Sequence, residues 1–193
     1  MERFSPLSPD EAASGLRARF GAGRRLSADE AAARLRARFG DSVLDVVEQH
    51  GHIVVTVTRE RYHDLCRFLR DEPEFGCDFA DLTSGVDWGQ ERGFEVVTHL
   101  FSTTNHHNIR VKVMLPHDDA VVATVSDLWA TCDWHERETA EMFGVRFEGH
   151  PQPVKLLLSE PFEGHPLRKD FALMTREAKP WPGAVEGEED EDE

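Results

Sequence analysis

The residues best suited to chemistry lie in two charged stretches of the C-terminal half of the chain. The first reads DWHERETAEMF and holds four acids, an arginine and a histidine between Asp133 and Phe143. The second reads FEGHPLRKDF, and its first five letters repeat the FEGHP that begins at Phe147. Glycine and proline predict turns at both copies. Turns do not explain the charges of Arg168, Lys169 and Asp170.

Catalytic and metal-binding hypotheses find little support in these stretches. Glu138 and Glu141 could act as a general acid and base, but no nucleophile or phosphate-binding loop accompanies them. Cys132, His135 and Glu138 recur every three residues, yet they do not complete a four-ligand metal pattern. The sequence contains neither G-x-G-x-x-G nor G-x-x-x-x-G-K-[ST]. We therefore expect no catalytic, cofactor-binding or metal-binding residues on this chain, and a metal hydrolase is a remote alternative.

The first stretch has the signals of a helix. Asp133 is a suitable N-cap, Glu136 would complete a capping box, and Gly144 would end the helix. Helical spacing collects four residues on one face, with Arg137 at its edge: Trp134, Glu138, Glu141 and Met142. Buried acids would need partners, and the available cations are Arg137, Arg168 and Lys169. Two interpretations stay open, a solvated surface helix or an ionic seam to the C-terminal segment or to another subunit.

The upstream sequence predicts the elements that must position this helix, in the order helix, two strands, helix, three strands. Ser27 and Glu30 form a capping box, and Gly40 supplies a stop. Two β-branched runs then flank a turn at His50 and Gly51. A helix over residues 60–70 and three further strand-like runs follow, up to Pro116. This order predicts an α+β fold, a two-layer domain with a mixed sheet packed on helices.

Composition shifts predict four regions of the chain. They are a flexible N-terminal extension over 1–26, the α+β domain over 27–116, a subunit-docking segment over 117–175 and an acidic disordered tail over 176–193. The docking segment is predicted to begin with two short helices and to continue as a long irregular stretch after Gly144. Long irregular stretches in compact proteins are usually functional or disordered. Six apolar residues in this one need a surface to bury against, and a neighbouring subunit is the natural candidate: Val154, Leu156, Leu157, Leu158, Phe162 and Leu167.

Two further features concern the ends of the chain. Residues 11–21 and 30–40 agree at nine of eleven positions, which indicates a local duplication of the first helix. The formal net charge is −15, and the terminal EGEEDEDE supplies seven of the acids. Such a balance argues against nucleic-acid binding by bulk electrostatics. An acidic tail of this kind is typical of a solvated terminus or of an arm that docks on basic partners.

Cysteine usage and hydropathy indicate the compartment. The three cysteines are odd in number and widely spaced, so they build neither a disulfide framework nor a four-cysteine iron–sulfur site. We find no transmembrane or signal-peptide pattern in the sequence. We therefore expect a cytoplasmic protein.

The two charged stretches, taken together, resemble a known family. DWHERETAEMFGVRFEGHP followed by LLLSEPFEGHPLRKDF is similar to the signature region of the C subunit of the proton-translocating NADH:quinone oxidoreductase, the 30 kDa subunit family of respiratory complex I. The resemblance covers roughly residues 28–171. Thirteen residues carry the signature: Trp134, Glu136, Arg137, Glu138, Phe143, Gly144, Gly164, His165, Pro166, Leu167, Arg168, Lys169 and Asp170.

The resemblance implies a function that the residues alone do not show. It implies an accessory hydrophilic-arm subunit, on the cytoplasmic side of a bacterial cell membrane, that supports electron transfer from NADH to quinone. It also implies that FMN and iron–sulfur clusters reside on partner subunits, and that the C-terminal segment lies against the D subunit of the complex. An equivalent subunit of a membrane-bound hydrogenase, or of a related dehydrogenase complex, is the alternative.

Overall fold

The computed structural model describes residues 23–172. It contains three α-helices, α1 (Ala28–Phe39), α2 (Tyr62–Asp71) and α3 (Thr131–Phe143). Seven strands accompany them: β1 (Val43–Gln49), β2 (His52–Val57), β3 (Phe79–Asp87), β4 (Phe94–Phe101), β5 (Asn108–Leu115), β6 (Val121–Ala123) and β7 (Arg146–Glu148). The first copy of the duplicated sequence and the acidic tail lie outside the described residues.

Five strands form one mixed sheet in the order β1-β2-β5-β4-β3. Neighbouring strands are antiparallel except for β2 and β5, which are parallel. The hairpin between β1 and β2 turns at His50 and Gly51, whose φ angles are +53° and +76°. Two consecutive positive φ angles match the twist of antiparallel strands, and glycine adopts such an angle without steric cost. The predicted turn and the predicted order of elements up to Leu115 are confirmed.

The helices cover one face of this sheet. Alternate residues of β5, from Ile109 to Leu115, are fully or almost fully buried and pack in one core with Leu35 of α1 and Leu65 of α2. Tyr62 of α2 is buried, and its hydroxyl oxygen lies 2.5 Å from Oγ1 of Thr98. The predicted α+β fold with two layers is therefore confirmed. The opposite sheet face carries polar pairs, such as Lys112 with Glu95 at 3.1 Å.

The region after Pro116 differs from the prediction. Two short helices were expected there, but Val121–Ala123 is a strand that pairs in parallel with β7, and α3 is the only helix between residues 117 and 172. Three β-branched or small residues are too few to show a strand period, so this strand depends on its distant partner. The irregular stretch was predicted to begin after Gly144, but residues 146–148 form β7. Residues 149–172 are irregular apart from isolated turns, as expected.

Candidate functional site

Helix α3 starts earlier than its sequence signals predicted. It begins at Thr131 with Ala130 as N-cap, and no side chain caps it. The predicted Asp133 cap and the capping box with Glu136 are therefore wrong. Tertiary contacts decide the start, because the Thr131 hydroxyl donates to the carbonyl oxygen of Ala80 at 2.9 Å and Cys132 is buried. The predicted end at Gly144 is confirmed, with φ +75°.

Glu136 is the most deeply buried acid of α3. Its carboxylate accepts a hydrogen bond from the Thr124 hydroxyl and another from the Val125 N–H, at 2.7 Å. His150 Nε2 lies 3.9 Å from Glu136 Oε2, the oxygen that accepts from Thr124. Burial raises the pKa of Glu136 to about 7, although both hydrogen bonds oppose that rise. This acid therefore links α3 to the loop after β6 and titrates near neutral pH.

Glu141 fastens the irregular C-terminal segment to α3. Its carboxylate accepts three successive backbone N–H groups, those of Leu156 at 3.2 Å, Leu157 at 2.8 Å and Leu158 at 2.6 Å. The residue is 7% exposed. Burial alone would raise the pKa of Glu141, but the three N–H donors outweigh it and the pKa is lowered. The carboxylate thus stays ionised at neutral pH and holds a turn of the segment.

Of the two interpretations, the ionic seam between α3 and the C-terminal segment does not form among the described residues. Arg137 donates instead to the carbonyl oxygens of Val154 at 2.9 Å and Lys155 at 3.1 Å. Arg168 donates to the carbonyl oxygen of Phe143 at 2.5 Å, and its guanidinium lies 5.0 Å from the ring centre of Phe94. Backbone groups therefore serve as partners for both the acids and the arginines. Unpaired N–H and C=O groups of an irregular segment need such partners as much as charges do.

The repeated FEGHP motif has a structural role in both copies. Gly149 and Gly164 both have positive φ angles, +85° and +88°. Each following histidine reaches a backbone carbonyl of α3: His150 Nε2 lies 3.1 Å from the Asp133 oxygen, and His165 Nδ1 lies 2.8 Å from the Glu141 oxygen. Each copy is thus a turn that ties the chain to α3. Sequence reasoning noticed the repeat but did not predict His150 as a contact residue.

Contacts at the end of α3 bring several signature residues together. A Cβ on Gly144 would lie 2.4 Å from Arg168 Nη2 and 2.6 Å from His165 Nε2, so both side chains would have to shift, and the positive φ also favours glycine here. The backbone N–H of Leu167 donates to the Met142 oxygen at 3.1 Å. Lys169 contributes its backbone N–H, which the Asp87 carboxylate accepts at 2.7 Å. A cleft of about 340 Å³ remains between α3, β7 and this segment.

Other signature residues point away from these contacts. Trp134 is 64% exposed, Glu138 is exposed, and Asp170 is an exposed residue whose carboxylate lies 3.9 Å from His117. Phe143 packs in the core, and Pro166 is half-buried beside His165. The signature therefore divides into residues that hold the segment and residues that solvent can reach.

Apolar side chains form an exposed patch on the outer side of α3. A shallow depression of about 570 Å³ is lined by Trp134, Leu156 and Leu157 together with polar neighbours. We call these three residues the apolar patch. Leu157 is 60% exposed, and Leu167 further along the segment is 55% exposed. Exposed apolar side chains that lie together in this way make the patch a candidate interaction site.

The candidate metal ligands are not brought together. Cys132 is buried and lies 3.7 Å from Thr83 Oγ1, whereas Glu138 is exposed. Burial raises the pKa of Cys132 to about 11 and that of Cys77 to about 12, which disfavours the thiolate. Over residues 23–172, no cluster of three or more His, Cys, Asp or Glu side chains has the geometry to hold a metal ion. No helix in that range is long and apolar enough to cross a membrane.

The fold and the fastened segment define an α+β domain with an irregular C-terminal extension held against α3. A family model described as "Respiratory-chain NADH dehydrogenase, 30 Kd subunit" matches residues 55–177. Because this match spans more than half of the chain, the protein belongs to that family, whose members are subunits of a multi-subunit enzyme complex. The family resemblance predicted from the two charged stretches is confirmed.

A relative and a solved structure agree with this membership, and a second solved structure shares the fold. The C subunit of NADH-quinone oxidoreductase from Roseiflexus sp. (strain RS-1) is 45% identical over 138 residues, which cover 71% of this chain and 79% of the relative. The solved trypsin-resistant fragment (1-134) of Nqo5 superimposes with a TM-score of 0.55 and 26% identity, covering 64% of this chain and 97% of the fragment. A chain of an archaeal membrane-bound sulfane sulfur reductase has a TM-score of 0.59 at 23% identity, covering 76% of this chain and 86% of its own length. That last similarity shows the fold alone.

Proposed function

We propose that this chain is an accessory subunit of a proton-pumping NADH:quinone oxidoreductase and that it has no active site of its own. Electrons would pass from NADH to quinone through neighbouring subunits that hold FMN and iron–sulfur clusters. Family membership supports the proposal that the chain is a subunit of this complex. The chemistry of the described residues supports the accessory role, because their buried acids bind backbone N–H groups and their cysteines have raised pKa values.

The observation that carries the docking proposal is the contrast between the inner and outer sides of the C-terminal segment. Its inner side is fixed to α3 by Glu141, Arg137 and His165. Its outer side leaves Leu157 and Leu167 more than half exposed. A segment ordered before binding loses little conformational entropy when it binds. We therefore propose that it docks on the D subunit, at the cytoplasmic side of a bacterial membrane, and that the chain meets the membrane only through the complex.

A pair of matched variants tests the docking role. Leu157→Ser removes an apolar side chain of the patch, whereas Leu44→Ser removes one of similar exposure, 58%, from β1. Both variants should unfold at nearly the wild-type urea midpoint, because exposed side chains contribute little to the core. Only Leu157→Ser should weaken assembly, by about tenfold in the dissociation constant for an interface residue worth about 1.4 kcal/mol, and so lower the yield of the complex recovered with the tagged chain. Equal yields for both variants would refute the docking surface.

An equivalent subunit of a membrane-bound hydrogenase or related dehydrogenase is the second candidate. The fold similarity to the sulfane sulfur reductase chain is compatible with it, whereas 45% identity to an NADH-quinone oxidoreductase subunit favours the first candidate. Co-purified partners distinguish the two, because only the first should bring a flavin-containing NADH-oxidising subunit.

A further inference from the structure

Helix α1 has a near copy in the sequence upstream of it. Residues 7–21 and 26–40 are identical at 12 of 15 aligned positions. The three differences are Pro9 for Ala28, Ser14 for Ala33 and Gly15 for Arg34. The contacts of α1 show which of its residues a substitute would have to reproduce.

Every residue through which residues 26–40 meet the hydrophobic core is repeated in the upstream copy. Leu26, Ala31 and Leu35 are 4%, 0% and 0% exposed, and all three belong to the hydrophobic core. Phe39 packs edge-on against Phe68, with ring centres 5.5 Å apart. The residues 19 positions upstream of these four, and of the buried Ala32, are of the same types: Leu7, Ala12, Leu16, Phe20 and Ala13.

The signals that start and end α1 are repeated as well. The Glu30 N–H donates to Ser27 Oγ at 3.2 Å, and the Ser27 N–H donates to the Glu30 carboxylate at 3.0 Å. Ser8 and Glu11 supply the same pair in the upstream copy. Pro9 would fall at the first helical position, where proline is well tolerated. The helix-ending Gly40 has its counterpart in Gly21.

The differences explain why residues 26–40 fill the site in the native chain. Arg34 donates to the Glu74 carboxylate, with Nη2 and Oε1 3.0 Å apart, and Gly15 has no side chain for this pair. Glycine also disfavours a helix interior. Docking of residues 7–21 would in addition leave residues 22–42 as a closed loop before β1, at a further cost in entropy.

We propose that the groove filled by α1 is a binding site with two alternative occupants in one chain. Residues 7–21 bind this groove whenever α1 is displaced, and they do so through the same apolar side chains. This proposal concerns the helical layer and is independent of the proposed function of the C-terminal segment.

Substitutions in the full-length chain test the proposal. Leu35→Asp places a charge in the buried position of α1, and Leu16→Asp places one at the equivalent upstream position. Leu16→Asp alone should leave the urea midpoint unchanged. Leu35→Asp alone should lower the urea midpoint but leave a cooperative transition. The midpoint of the double variant should fall by far more than the sum of the two single shifts. A Leu35→Asp variant as unstable as the double variant would overturn the proposal.

Hydrogen exchange identifies the occupant directly. In the native chain, slow-exchanging amides should fall within residues 31–39, and in Leu35→Asp they should fall within residues 12–20. Absence of protection at residues 12–20 in that variant would overturn the proposal, and a concentration-dependent dimer would overturn its restriction to one chain. Leu44→Asp, at an exposed position, is the control and should combine additively with Leu16→Asp.

Discussion

The carboxylate of Glu141 should govern the order of the C-terminal segment, and its replacement by alanine is the perturbation that shows this. The side chain accepts the N–H groups of Leu156, Leu157 and Leu158. Without it, these donors lose a charged acceptor and can bind only water, which weakens the attachment of the segment to α3. The core of the domain does not depend on these bonds. We therefore expect local detachment and not global unfolding.

The size of the effect follows from the geometry. Two of the three bonds, at 2.8 Å and 2.6 Å, have the length of charge-assisted hydrogen bonds. Such bonds stabilise by about 1.5–3 kcal/mol each, which gives roughly 3–6 kcal/mol for the pair. Bonds that share one carboxylate are not additive, so we take the lower end, about 3 kcal/mol, which corresponds to roughly a 100-fold change in an equilibrium constant.

Native-state hydrogen exchange is the assay, with Glu138→Ala as the matched control. Glu138 is an exposed acid one turn earlier on the same helix. In Glu141→Ala, amide protection at residues 156–158 should fall by about 100-fold, while the amides of β4 and β5 should keep theirs. Glu141→Gln should give an intermediate loss because it keeps an acceptor oxygen without the charge. Equal protection at residues 156–158 in Glu141→Ala and Glu138→Ala would refute the reasoning.

Two further predictions concern α3 and its C-terminal end. The pKa of Glu136 is raised to about 7 from 4.5. Its protonation therefore contributes full stability below pH 4.5, and this contribution is lost as the pH rises from 4.5 to about 7. Relative to Glu136→Gln, the native chain should lose about 3 kcal/mol of its free energy of unfolding in urea over that pH range. Parallel curves of unfolding free energy against pH for the two chains would contradict this. Gly144→Ala should be less stable than Gly89→Ala by about 1 kcal/mol or more, because both residues have positive φ but only the Gly144 Cβ would meet other side chains. Thermal unfolding checks this prediction, and equal losses would count against it.

Local patterns predicted the α1 capping box and the β1–β2 turn, because each depends on neighbouring residues. The parallel pairing of β2 with β5 and the three-residue strands β6 and β7 could not be predicted, since they depend on partners distant in sequence. The predicted start of α3 was wrong for the same reason. There, contacts of Thr131 and Cys132 with β3 override the cap signal at Asp133.

The sequence predicted the residues of the candidate site but not their hydrogen-bond partners. The signature identified Arg137, His165 and Arg168, and all three hold the segment to α3 or are held by it. Charge complementarity suggested that arginines would pair with the acids. The acids pair with backbone N–H groups instead, and a sequence does not show which of these an irregular segment leaves free. Whether the thirteen signature residues dock on the D subunit stays a prediction.

The most direct test of the proposed function is the composition of the assembly that contains this chain. The tagged chain would be purified from gently solubilised membranes of its own cells, and the co-purified proteins would be identified by mass spectrometry. We predict recovery of the D subunit together with flavin, iron–sulfur and proton-pumping subunits of an NADH:quinone oxidoreductase. Recovery of a hydrogenase large subunit, or of the chain alone, would contradict the proposed function.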